Sequence, residues 1–162
     1  MKFNKPLQKI NKTILLLIML TSFMANAKDM SEKDLTEFAI GYAAAWSSQN
    51  PNKLAAHYTD DGYIIVNGGK PSTGRDEIAA KAQGFMTAFP DMVVSLDKLE
   101  INGNKVVFNW HWVGTNSGTG KKLDIRGFET WTFDKNGLIK ESLGTYNRSE
   151  YEQQMGLTKP ES

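Results

Sequence analysis

From residue 31 the chain places Leu35, Phe38, Ala39, Tyr42 and Trp46 three or four positions apart, the spacing that gathers apolar side chains on one face of an α-helix. Ser31, with Asp34 three residues on, reads as the start of that helix. The pattern stops near Ser48, and Asn50 followed by Pro51 opens a short second helix carrying Leu54, His57 and Tyr58. Thr59-Asp60-Asp61-Gly62 is a turn signal, with a short strand after it over residues 63–66. Past a glycine-rich loop, Ser72 or Thr73 is placed to cap a third helix with Ile78, Ala82, Phe85 and Phe89 on its inner face. Pro90 ends it, because the ring blocks helical continuation and biases the preceding residue toward extended backbone.

Beyond Met92 the period changes from helical to alternating. Residues 92–100 and 105–115 flank Asn102-Gly103-Asn104, a favourable hairpin connection. In the second of these strands Phe108, Trp110 and Trp112 share one face, and Val107, Asn109, His111 and Val113 the other. A loop over 116–120 leads to a strand at 123–133. Asp134-Lys135-Asn136-Gly137 then turns into a last strand at 138–146, and a short helix covers 150–155. Helices first and strands later predict an α+β domain. Its expected form is a cone-shaped, curved antiparallel sheet packed against about three helices, with an apolar pocket inside.

The strand at 123–133 holds the most informative pattern. Alternation puts Ile125, Gly127, Glu129, Trp131 and Phe133 on its apolar face, and Asp124, Arg126, Thr130 and Thr132 opposite, with Phe128 the one large apolar residue among them. An inward Glu129 needs a partner, a raised pKa, or a cavity holding water, since burying a bare carboxylate is costly. Gly127 is expected to leave room beside it.

Composition adds a leader and removes several classes of function. Lys2, Lys5, Lys9 and Lys12 precede an apolar run at 14–24, and Ala25-Asn26-Ala27 fits a cleavage site. Residues 1–27 therefore read as a signal peptide, and 28–162 as one domain that is periplasmic or secreted, with no membrane association after processing. The run is about half of the ~20 residues a spanning helix needs. The chain has no Cys, which excludes disulfides and a lipid-anchored cysteine. Setting the four leader lysines aside takes the net charge from +1 to −3, an unfavourable balance for nucleic acid. Asp60-Asp61-Gly62 lacks the oxygen spacing of a calcium loop, and no metal or cofactor is expected.

Several stretches together resemble the SnoaL-like polyketide cyclase family of the nuclear transport factor 2-like superfamily. They are Ala56-His57-Tyr58-Thr59-Asp60-Asp61, Thr73-Gly74-Arg75-Asp76-Glu77, Ala88-Phe89-Pro90-Asp91, Asn136-Gly137-Leu138-Ile139-Lys140-Glu141 and the closing Gln154-Met155-Gly156. The likeness covers roughly residues 32–157. It implies a cone-shaped fold and a family of diverse activity, including cyclases, isomerases, dehydratases and binding modules. In the cyclases an Asp on the penultimate strand is the acid/base, assisted by a His after the preceding strand. The matching positions here are Glu129 and Asn116, so the carboxylate stands one methylene further out and the titratable helper is lost.

Glu129, His111 and Asn116 are thus the candidate catalytic residues, Glu129 as proton acceptor and the other two as oxyanion partners. Tyr42, Trp46, His57, Tyr63, Phe85 and Trp131 are the candidate ligand-binding wall, aromatic bodies suited to a small hydrophobic molecule. Two function classes follow: an exported small-molecule-binding domain, favoured by the missing acid/base pair, and a cofactor-independent lyase or isomerase using Glu129. If the Phe108, Trp110 and Trp112 face points outward, it is too apolar to face water, and a homodimer through the sheet is expected.

Overall fold

The computed structural model describes residues 30–157, so the expected leader lies outside the described residues. Helix α1 (Glu32–Ser47) starts with both arms of a capping box: Asp34 N donates to Ser31 Oγ at 3.1 Å, and Ser31 N donates to Asp34 Oδ2 at 3.2 Å. Helix α2 (Pro51–Ala55) has Asn50 as its cap, accepting from the backbone of Asn52 and Lys53. It ends before His57, and Tyr58 already belongs to β1 (Tyr58–Val66).

The predicted turn at residues 59–62 therefore lies inside a strand. Tyr58 to Tyr63 on β1 spans only Ile139 to Glu141 on its partner, so the polar stretch is taken up as a bulge rather than a turn. Ser72 and Thr73 form a two-residue strand, β2, instead of a helix cap. The cap of α3 (Arg75–Ala88) is Gly74, with φ at +81°. Ile78, Ala82 and Met86 are the buried residues of α3, and Phe85 packs against the core from a partly exposed position.

Strands β3 (Val93–Asn102), β4 (Lys105–Thr115), β5 (Lys122–Phe133) and β6 (Ile139–Tyr146) follow as an antiparallel meander, and α4 (Arg148–Met155) closes the chain. The sheet order is β2-β1-β6-β5-β4-β3, a curved six-stranded α+β sheet. One pair departs from the expected antiparallel arrangement, since β1 lies parallel to β6.

Alternation sorts β4 and β5 as their patterns require. Phe108, Trp110 and Trp112 are buried on the inner face of β4, with Ile125, Glu129 and Trp131 on the inner face of β5. The condition attached to the sheet-to-sheet dimer is not met, because the aromatic face lies in the core. The outer face instead carries the Arg126–Asp97 ion pair and the His111–Asp124 contact beside partly exposed Phe128 and Leu143. The aromatic contacts are specific: Phe108 stacks on Trp131 with ring centres 4.8 Å apart, and Tyr42 meets Trp131 edge-on at 4.8 Å.

Candidate functional site

Glu129 stands mid-strand in β5, opposite Phe108 of β4 and Gly144 of β6, and only 6% of its surface is exposed. Three neutral donors converge on its Oε2. Tyr42 Oη from α1 donates at 2.8 Å, Trp131 Nε1 from β5 at 2.9 Å, and Ser142 Oγ from β6 at 2.7 Å. Tyr42 Oη also lies 2.7 Å from Tyr58 Oη of β1. A phenol has one proton to give, so Tyr42, having spent its own on Glu129, accepts from Tyr58. Three elements thus meet at one carboxyl group, and β1 joins the network through Tyr42.

Burial pushes the Glu129 carboxyl above its ordinary range, and the three donors pull in the opposite direction. Burial and the nearby carboxyl also hold both phenols well above their usual value, so Tyr42 and Tyr58 remain protonated donors. All of these bonds go to Oε2, and among the described residues none reaches Oε1.

Beside this network lies an open-mouthed cleft of about 50 Å³ between the sheet and helices α1 and α3. Trp46, Phe85, Phe108, Trp110, Trp112 and Tyr146 form its aromatic wall, and Glu129 is the one carboxylate in the lining. Gly144 gives Glu129 its place, since a Cβ there would come within 3.3 Å of Glu129 Cγ. Gly127 does not leave the expected space. A Cβ on it would fall 2.4 Å from Trp110 Cζ2, so the indole already fills that room. A wider hollow of about 370 Å³ is lined by Asp60, Arg75, Asp134 and Lys140, but its groups are largely exposed and mixed in charge.

The structure brings together some of the expected site residues and separates others. Glu129, Tyr42 and Trp131 share the hydrogen-bond network, and Trp46 and Phe85 line the cleft. His111 does not join them. It projects from the opposite face of β4, where its Nε2 meets Asp124 Oδ1 at 2.6 Å. Asn116 caps the loop after β4, its Oδ1 accepting from Gly118 N at 3.1 Å and Thr119 N at 3.0 Å. Tyr63 turns outward to hydrogen-bond Glu141. His57 packs edge-on against Tyr42, with ring centres 5.5 Å apart, but its Nδ1 is bound to Lys53 O at 2.9 Å and it does not line the cleft. Burial lowers its pKa from the ordinary 6.5, which favours the neutral ring.

Ser142 and Tyr58 were not among the expected site residues. Ser142 pairs directly with Trp131 across β5 and β6, so a correct strand register would have placed its hydroxyl beside Glu129. Tyr58 was hidden by its assignment to a helix end.

A family profile described as a SnoaL-like domain matches residues 39–142, most of the described chain. The protein belongs to the SnoaL-like domain family. No curated protein sequence matches it. Among solved structures, this SnoaL-like chain is similar to a protein of ketosteroid isomerase-like fold from Catenulispora acidiphila DSM 44928, in complex with trimethylamine. That likeness has a TM-score of 0.69 and 22% identity, over 76% of this chain and 98% of that one. A protein assigned as a SnoaL-like polyketide cyclase from Jannaschia sp. CCS1 matches with a TM-score of 0.70 and 14% identity, over 81% and 99%. The epoxide hydrolase/cyclase-like enzyme SalBIII, of pyran ring formation in salinomycin, matches with a TM-score of 0.65 and 15% identity, over 74% and 95%. At these identities the likeness establishes the fold.

Proposed function

We propose that this SnoaL-like domain binds a small, largely hydrophobic molecule in the aromatic cleft, with Glu129 as its polar anchor. The observation that carries this reading is the arrangement of Glu129, whose Oε2 is held by three donors while the residue itself lines an otherwise apolar cavity. A carboxyl group fixed this firmly keeps one orientation, the requirement for an anchor in a binding site. The volume suits a molecule of a few heavy atoms, given that one water needs about 10–15 Å³. The trimethylamine held by the Catenulispora protein is of that size. The leader pattern of residues 1–27 supports binding outside the cytoplasm.

A lyase or isomerase reaction with Glu129 as acid/base is the second reading. The raised pKa of Glu129 and the freedom of Oε1 favour it. Against it, His111 and Asn116 stand elsewhere, and the cleft lining holds no second carboxylate or imidazole. Binding is therefore the better supported function.

Titration with short-chain alcohols and ketones, followed by the indole N–H resonances of Trp110 and Trp112, tests it. Saturable shifts are expected, and Val66→Phe, which fills the cleft from β1, should abolish them while the protein stays folded. Shifts that never saturate and persist unchanged in Val66→Phe would remove the binding reading. Retained turnover in Glu129→Gln, on any substrate the protein is found to convert, would remove the acid/base reading.

A further inference from the structure

We propose that the occupant of the cleft is a small alkylammonium cation, held against the aromatic wall and neutralised by Oε1 of Glu129. This rests on the small-molecule reading above and assigns the charge of the ligand.

The wall itself points to a cation. Three of the four tryptophans in the chain, Trp46, Trp110 and Trp112, line one cavity of about 50 Å³ together with Phe85, Phe108 and Tyr146. A purely apolar ligand would be served as well by Leu and Ile, whereas aromatic faces carry partial negative charge and attract a cation within about 6 Å. Trp110 and Trp112 also withhold their polar ends. Both Nε1 atoms are buried without a partner, so the rings offer the cleft carbon rather than N–H donors. A ligand rich in acceptors would find no donor in these indoles.

The carboxyl group completes the picture. The elements packed around Glu129 give it three neutral donors, Tyr42 from α1, Trp131 from β5 and Ser142 from β6, with Tyr58 of β1 bonded to Tyr42 behind them. From α3, β3 and β4 come Phe85, Val94 and Phe108, and the lining adds the phenol of Tyr146. His57 lies behind Tyr42 and is held toward its neutral form. Among the described residues, no Lys, Arg or His lines the cleft. A carboxylate in this setting has its hydrogen bonds but lacks a counter-charge, and a cation in the cleft supplies one.

Pairing requires Glu129 to be ionised, and burial holds its proton on to higher pH than usual. An alkylammonium stays charged throughout the neutral range, so its affinity should fall as acidification protonates Glu129 and rise with pH as Glu129 ionises.

Tetramethylammonium and tert-butanol have nearly the same shape and differ in charge, so calorimetric titration of the two separates the possibilities. At mildly alkaline pH the cation should bind about tenfold tighter or more. It should weaken on acidification, and Glu129→Gln should lower the affinity for the cation by about that factor, and by clearly more than it lowers the affinity for tert-butanol. Phe85→Leu, which keeps apolar volume and removes an aromatic face, should narrow the preference and serves as the test if Glu129→Gln does not fold. Equal or tighter binding of tert-butanol overturns the cation inference and leaves the small-molecule reading standing. So does cation binding that neither variant alters. Failure of both probes to bind folded protein overturns both readings.

Discussion

The two faces of β4 and β5 solve the same problem in opposite ways. On the inner face a carboxyl group is held by a phenol, an indole and a hydroxyl, with no cation beside it. On the outer face, the alternating residues find polar partners in the open: Arg126 Nε meets Asp97 Oδ2 at 3.1 Å as an ion pair, and Asp124 Oδ1 lies 2.6 Å from His111 Nε2. The Asp124 and Arg126 side chains each keep 67% of their surface in solvent. Water already stabilises those outer charges, so pairing them adds little. Inside, water is excluded, and each donor to Glu129 replaces hydration that the carboxyl would otherwise lose. The worth of a polar contact in this sheet is set by its face more than by its length.

The largest expected effect comes from the tightest inner packing. Gly127→Ala would drive a Cβ to within 2.4 Å of the Trp110 ring and 2.5 Å of Thr145 O. One of these is backbone, so relief requires strand movement, and a loss of about 3 kcal/mol or more is expected in urea unfolding. On the outer face, Phe128→Ala should cost under about 1 kcal/mol, because that side chain is already 40% exposed. Equal costs would erase the contrast between the faces.

Next come the donors. Tyr42→Phe strands both Glu129 and Tyr58, and about 2 kcal/mol should be lost; Ser142→Ala removes one donor and should cost about 1 kcal/mol. Chemical denaturation of the two variants and their double mutant would show whether the donors act as one network.

Glu129→Gln sharpens the comparison through pH. Gln keeps an acceptor for the three donors and turns its amide nitrogen toward the Oε1 position. In the native chain Glu129 is raised above its ordinary 4.5, so its contribution to stability is complete below that value and is lost as pH rises through the folded pKa. Thermal melts should show that alkaline-side loss in the native protein and not in Glu129→Gln. His57 has the opposite sign. Lowered from 6.5, it contributes above that pH and loses its contribution as pH falls through its folded value, a slope that Glu129→Gln should retain. An identical pH profile in native and Glu129→Gln protein would mean that burial does not govern Glu129.

The smallest effect belongs to the outer face. Asp97→Asn, which removes the partner of Arg126, should cost less than about 1 kcal/mol, and the difference should shrink in high salt.

Much of this contrast was legible in the residues themselves. Alternation placed Glu129 inward, and Asn102-Gly103-Asn104 and Asp134-Lys135-Asn136-Gly137 marked hairpins that the structure forms. The likeness at the helix starts and strand ends led to the right family. The misplacements share a physical cause. Local patterns say which residues share a face but not which distant strand that face meets. His111 was therefore open to either face, and it occupies the one opposite Glu129; Asn116 came instead from the family resemblance, and its side chain serves its own loop. The polar run at 59–61 imitated a turn because a bulge also tolerates polar residues. Gly127 by itself suggests empty space, but the Trp110 ring of the next strand fills it, and a strand read alone does not show that neighbour.

The parallel pairing of β1 with β6 has a consequence in time. Strands β3 to β6 are joined by short connections and can zip up as neighbouring hairpins, whereas β1 must wait for a strand far along the chain and pay a larger loop-closure entropy. Tyr58 arrives with β1, and Ser142 belongs to the strand that receives it. The carboxyl network therefore closes when the most distant part of the sheet docks. In a pulse-labelling experiment during refolding, amides of β4 and β5 should gain protection before those of β1. Glu129 therefore loses contact with water only as the last strand seals the core, and the upward push that burial gives its pKa belongs to that step.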